Sequence, residues 1–186
     1  MLDGAAKIVD YLKKVKELNQ PAAAITDHGN LYGAMEFVQK ANDFGIKPII
    51  GYEAYITPGS RFDRPDRENN KRYHLTLLAE NNIGYQNLVE LVSKAYTEGY
   101  YYKPRIDYEL LDQHHDGLIA LSGCLGGELA QHLAPDGSVE EGNTSNERSF
   151  EKALEIAKKY QSIFGKENYF IEIHNHGIKQ QLDILD

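Results

Sequence analysis

Apolar residues along this chain alternate between helical spacing and short uninterrupted runs. Ala5, Ile8, Val9, Leu12, Val15 and Leu18, with Lys13, Lys14, Lys16 and Glu17 between them, predict an amphipathic helix over 5–18. Asp3 is positioned to cap it, and Asn19-Gln20-Pro21 ends it. The run 22–25 predicts a short buried strand, followed by a turn at Asp27-His28-Gly29-Asn30. Leu31, Met35, Phe37, Val38 and Phe44 predict a second helix over 31–44, stopped by Gly45. Residues 47–56 predict a second strand. This alternation with short connections signals βα units and a parallel sheet.

The stretch 57–72 interrupts the pattern; it is polar, rich in turn residues, and reads as a mobile surface loop. Beyond it the pattern predicts strands over 73–79, 118–121 and 169–173. Helices are predicted over 83–96, 107–115, 126–133 and 150–164, with another beginning at Ile178. Tyr100-Tyr101-Tyr102-Lys103-Pro104-Arg105 reads as an aromatic–basic connector, and 135–145 as a loop rich in Gly, Asn and acidic residues. Five strands do not close a parallel barrel. The pattern is that of an open α/β sheet or of part of a barrel.

Composition narrows the class. A chain of 186 residues, 41% hydrophobic and 26% charged, is long enough for one domain with a proper core. Its net charge of −8 argues against a duplex-binding surface of its own, because such modules are basic. The single cysteine, Cys124, excludes an internal disulfide framework and fits a reducing, cytoplasmic setting. No apolar stretch approaches the roughly 20 residues needed to cross a bilayer, and the N-terminus has no signal-peptide pattern.

The chemistry sits beside the apolar runs. His28 follows one, Glu53 lies within another, His74 opens a third and Cys124 follows a fourth. His174 and His176 follow a fifth. His, Cys, Asp and Glu are the side chains that hold transition metals, and a barrel gathers the residues at its strand ends onto one face. Asp27 is a further ligand, a partner for His28, or simply a cap for the next helix together with Asn30. Glu53 shares a strand face with Gly51 and Tyr55, where a carboxylate needs a partner or a metal. His74 precedes its strand, so it breaks the strand-end rule and also fits a core histidine. The glycines flanking Cys124 allow close backbone approach, which suits a metal or phosphate site; plain packing and a nucleophilic role are the alternatives. His174-Asn175-His176, if extended, points both imidazoles to one face. His114, His115 and His132 read as solvated. Arg61, Arg64, Lys103 and Arg105 lie in loops, where they either neutralise a phosphate or only solubilise the surface.

Several segments resemble the PHP (polymerase and histidinol phosphatase) domain. They are Leu2-Asp3-Gly4-Ala5, Ala24-Ile25-Thr26-Asp27-His28-Gly29-Asn30, the run from Gly45 to Tyr55, and Tyr73-His74-Leu75-Thr76-Leu77-Leu78-Ala79. Tyr101-Tyr102-Lys103-Pro104-Arg105 and Ser122-Gly123-Cys124-Leu125-Gly126-Gly127 resemble the branch found at the N-terminus of bacterial DNA polymerase III alpha subunits. The resemblance spans essentially the whole chain.

It implies a distorted (β/α)7 barrel, here partial, with about five strands and flanking helices: one PHP domain fragment over 1–186. The family's first strand, with its His-x-His, and its last strands, with an Asp and a His ligand, would fall outside it. It implies divalent metal ions (Zn, Mn or Mg), in a cage incomplete within this chain, with Asp3, His28, Glu53, His74 and Cys124 as ligand positions and His176 near the site. Lys103 and Arg105 are candidates for phosphate. The implied function is the PHP portion of a replicative polymerase subunit, acting on DNA through the parent polymerase. The domain's own role would be metal-dependent phosphodiester hydrolysis, 3′–5′ exonuclease in some lineages, or structural support, including binding of a proofreading subunit. The alternatives are a stand-alone PHP phosphoesterase for a small phosphate ester and a non-catalytic module.

Overall fold

A computed structural model describes residues 4, 6–134 and 149–185; Asp3 and the loop expected at 135–145 lie outside the described residues. The elements run α1 (Ile8–Glu17), β1 (Ala22–His28), α2 (Ala34–Phe44), β2 (Lys47–Ile56), β3 (Tyr73–Ala79), α3 (Asn82–Thr97), β4 (Arg105–Ile106) and α4 (Tyr108–Gln113). They continue with β5 (Leu118–Leu121), α5 (Glu128–Leu133), α6 (Phe150–Phe164), β6 (Tyr169–Phe170) and α7 (Lys179–Leu185). The order along the six-stranded sheet is β1-β2-β3-β5-β6, and β4 pairs with β2.

The expectation of a parallel sheet is corrected at β3. This strand runs antiparallel to β2 on one side and to β5 on the other, while β1 and β2 are parallel. The connection from β2 to β3 contains no helix, only the irregular stretch 57–72, so the chain returns without the crossover that a parallel neighbour requires. Reversal puts the beginning of β3 at the same end of the sheet as the ends of β1, β2 and β5. Two further expectations change. β1 extends to His28, so that residue ends a strand rather than sitting in a turn. The last strand stops at Phe170 rather than at Ile173, because the Ser122 hydroxyl, not a neighbouring strand, accepts the Glu172 N–H at 2.9 Å.

The two faces of the sheet have different fates. Tyr52, Ala54 and Ile56 of β2 and Leu75 and Leu77 of β3 enter the main core, with Leu88, Leu91 and Ala95 of α3, Leu110 and Leu111 of α4, and Tyr160 and Phe164 of α6. A second cluster joins Leu12 and Val15 of α1 to Ala23, Phe37, Ala41 and Ile46. The alternating partners of the core residues, Glu53 and Tyr55, therefore face the opposite side.

The stretch 57–72 is not merely surface: Arg61 and Asn70 are buried within it. Arg61 pairs with Glu98 at 2.7 Å and with Asp107 at 3.0 Å. The Asp107 carboxylate also caps α4 through the Leu110 N–H, so one buried ion pair ties the loop to a helix start.

Candidate metal centre

The cluster follows from strand register. His28 pairs with Glu53 across β1 and β2, and Tyr55 pairs with His74 across β2 and β3. Residues opposite one another in a sheet share a face, and Glu53 and Tyr55 share one by alternation. All four side chains thus rise from one end of one face.

The Glu53 Oε1 lies 3.1 Å from His28 Nε2 and 2.9 Å from His74 Nδ1. One ligand atom from each of the three residues lies within 4.8 Å of the others. Ligands held at about 2.0–2.3 Å around one tetrahedral ion sit about 3–4 Å apart, so these spacings suit a bound cation. Cys124 approaches from the β5–α5 loop, its Sγ 3.6 Å from His74 Nδ1. It touches His74 but stands outside the three-residue cluster; two imidazoles and a carboxylate fit a divalent transition metal.

Burial pushes the Glu53 carboxyl up, but the hydrogen bonds and charges of His28 and His74 outweigh it and bring it down to about 2. Glu53 is therefore ionised at neutral pH, as a ligand must be.

The Ser122-to-Gly127 loop closes around His74. The His74 N–H donates to the Gly126 carbonyl at 2.8 Å. A Cβ on Gly126 would lie 2.9 Å from His74 Nδ1 and 3.2 Å from its Cγ, so only glycine fits against the ring. The far end of the loop is anchored by Glu128, whose carboxylate accepts from the hydroxyls of Tyr108 and Tyr160. Burial raises the Glu128 carboxyl above its ordinary range even against those two donors.

The other candidates separate. Asp27 accepts the Gly33 N–H at 2.7 Å and Asn30 accepts the Leu31 N–H, so both hold the entry to α2. His176 is exposed and outside the three-residue cluster; its backbone N–H donates to Gln181 at 2.8 Å. His174 pairs with Glu172 at 2.7 Å. Asp3 lies outside the described residues. Among the basic residues, Arg105 is fully buried and donates to the carbonyls of Gly99, Arg61 and Asp63, which removes it from any phosphate role. Arg61 is held by its carboxylates, and Arg64 donates to the carbonyls of Arg61, Asp63 and Glu98. Lys103 alone of the four lines the cleft above the cluster, its Nζ 3.3 Å from the Tyr55 hydroxyl.

That cleft holds about 1370 Å³. Its walls include Tyr32, Tyr96, Tyr100 and Tyr102. Of these, only Tyr100 and Tyr102, in the aromatic–basic connector, stand out in the sequence; Tyr32 and Tyr96 carry no signal there. A smaller cavity of about 280 Å³ opens on the other side of Cys124, between α5 and the segment after β6.

The family model for the PHP domain matches residues 1–176. The chain is 51% identical over 185 residues to the DNA polymerase III subunit alpha of Thermus aquaticus, covering 97% of this chain and 14% of that protein. It is 49% identical over 189 residues to the corresponding subunit of Deinococcus radiodurans, covering 97% of this chain and 13% of that protein. It thus spans about 14% of the length of the curated relatives it matches. A crystal structure of a Bifidobacterium adolescentis protein, provisionally described as a metal-dependent phosphoesterase, aligns over 100% of this chain and 79% of that one. The TM-score is 0.54 at 10% identity, a likeness of fold.

Proposed function

The chain belongs to the PHP domain family, and from that premise we propose that it is the PHP portion of the alpha subunit of a bacterial replicative DNA polymerase, carrying a metal-dependent phosphodiester-hydrolysing site. The observation that supports the reading is the convergence of His28, Glu53 and His74, with Cys124 beside them, at one end of the sheet and at the wall of a large cleft. Identity of about half with two alpha subunits supports the parent assignment. Cytoplasmic placement, DNA as the parent's substrate and a proofreading subunit as a neighbour belong to the same proposal. Among the described residues, no helix is long and apolar enough to cross a membrane.

His28 and His74 would each give a ring nitrogen to the ion, Glu53 an oxygen and Cys124 its sulfur. A divalent ion held there supplies a Lewis acid and lowers the pKa of a water it binds. Without the ion, Glu53 is charged at neutral pH and its hydrogen bonds hold both imidazoles in place; with the ion bound, those nitrogens would turn from the carboxylate to the metal. Lys103 holds a phosphate oxygen at the cleft wall.

The test is elemental analysis after exhaustive dialysis, alongside hydrolysis of a labelled oligonucleotide with added Zn or Mn. About one equivalent of metal and slow cleavage are expected, both lost in Glu53→Gln. A chain that retains no metal and cleaves nothing overturns the hydrolytic reading and leaves a scaffold.

A further inference from the structure

Tyrosine density on one wall of the cleft is the feature the metal cluster does not use. Tyr32, Tyr100 and Tyr102 are 77%, 54% and 64% exposed, yet all three line the cleft that contains His28, Glu53 and His74. Isolated exposed aromatics are ordinary on a protein surface, but a set sharing one concave wall marks a binding surface.

The wall is rigid. Tyr96 stacks on Tyr100 with ring centroids 5.9 Å apart, and its hydroxyl lies 3.3 Å from that of Tyr32 and 3.0 Å from the Asn30 amide. The connector bearing Tyr100 and Tyr102 is fastened from beneath. Arg105 donates to the Gly99 carbonyl, and the Tyr101 hydroxyl donates to the Pro65 carbonyl at 2.8 Å. Tyr102 itself adopts φ 61°, a left-handed conformation unfavourable for a bulky residue and maintained by surrounding structure. Its neighbour Pro104 packs against the turn after His28, where a Cβ on Gly29 would come within 3.0 Å of the proline ring. The platform and the metal cluster are therefore joined by direct packing. Lys103 stands between them, over the Tyr55 ring at 5.1 Å.

We propose that Tyr32, Tyr100 and Tyr102 form a base-stacking platform for a single DNA strand, with Lys103 taking one of its phosphates beside the metal cluster. The occupant rests on the hydrolytic reading above. The chemistry selects a single strand over a duplex for two reasons. Stacking needs bases freed from pairing, and it works without a basic surface. A net charge of −8 with one lysine at the cleft cannot grip duplex phosphates in the usual way.

The experiment is fluorescence anisotropy with a labelled single strand of about 12 nucleotides, within the range one such site engages. A hairpin duplex of the same composition serves for comparison. A chelator is present throughout, so binding is read without metal and fails independently of the metal measurement. The single strand binds at least about tenfold tighter than the duplex, and Tyr100→Ala and Tyr102→Ala each weaken it about tenfold, the effect of one lost stack. Tyr100→Phe and Tyr102→Phe restore binding, which a merely structural role of the hydroxyls would not predict. Lys103→Ala lowers the salt dependence by about one phosphate contact. Alanine variants that fold, by their melting curves, and bind like the parent overturn the proposal. So does equal affinity for the duplex, no DNA binding at all, or tight binding of a replication protein at this wall in place of DNA.

Discussion

Glu53 is the residue on which the cluster turns. It touches both imidazoles, is largely buried, and is more acidic than an ordinary glutamate because its two partners outweigh its burial. The sign of its effect on stability follows. Its folded value of about 2 lies below the ordinary 4.5, so its contribution is present above about pH 4.5 and is lost as pH falls toward 2. The contribution is of the order of 3 kcal/mol at neutral pH. Urea unfolding of the metal-free chain and of Glu53→Gln between pH 2 and 6 reads it. The parent's advantage shrinks across that window, and parallel curves would show that Glu53 is not held by the histidines.

At the scale of elements, the decisive feature is the reversal of β3. A histidine that opens a strand would lie at the far end of a parallel sheet, away from His28 and Glu53. In an antiparallel strand the same position lies opposite Tyr55, two residue pairs from Glu53 and on the same face. The β5–α5 loop then locks the ring, and glycine at 126 is what lets it approach. Gly126→Ala displaces the imidazole and weakens metal binding about 10- to 100-fold, as loss of a supporting contact does. Competition with a chromophoric chelator measures this. Unchanged affinity would mean that the loop yields to the methyl group and does not position His74.

At the scale of the whole molecule, the cluster ties β1, β2, β3 and the loop after β5 together at one end of the sheet. An ion bound there stabilises the folded state by mass action, by about 2.7 kcal/mol at a free concentration of 100 Kd. For a chain of this length that corresponds to a rise of about 5–10 °C in Tm. Thermal unfolding with and without zinc measures it, and His74→Ala abolishes the rise. An equal rise in that variant would place the stabilising metal elsewhere.

Much of this was legible in the sequence because it depends on local periodicity. Strands at 47–56, 73–79 and 118–121 and the helix at 150–164 match the structure residue for residue, since each is bounded by a sharp change of pattern. The residue types His28, Glu53, His74 and Cys124, placed beside apolar runs, were enough to suggest a metal, and family resemblance supplied the fold. What the sequence could not decide was direction and partnership. Hydrophobic periodicity is the same in a strand and in its reverse, so only the folded chain shows why His74, at a strand's beginning, meets residues at strand ends. Charge in a loop likewise reads as exposed whether or not it is. Apart from the nearby Gly99 carbonyl, the hydrogen-bond partners that hold Arg61 and Arg105 inside come from 35 to 46 positions away, which only tertiary packing can assemble.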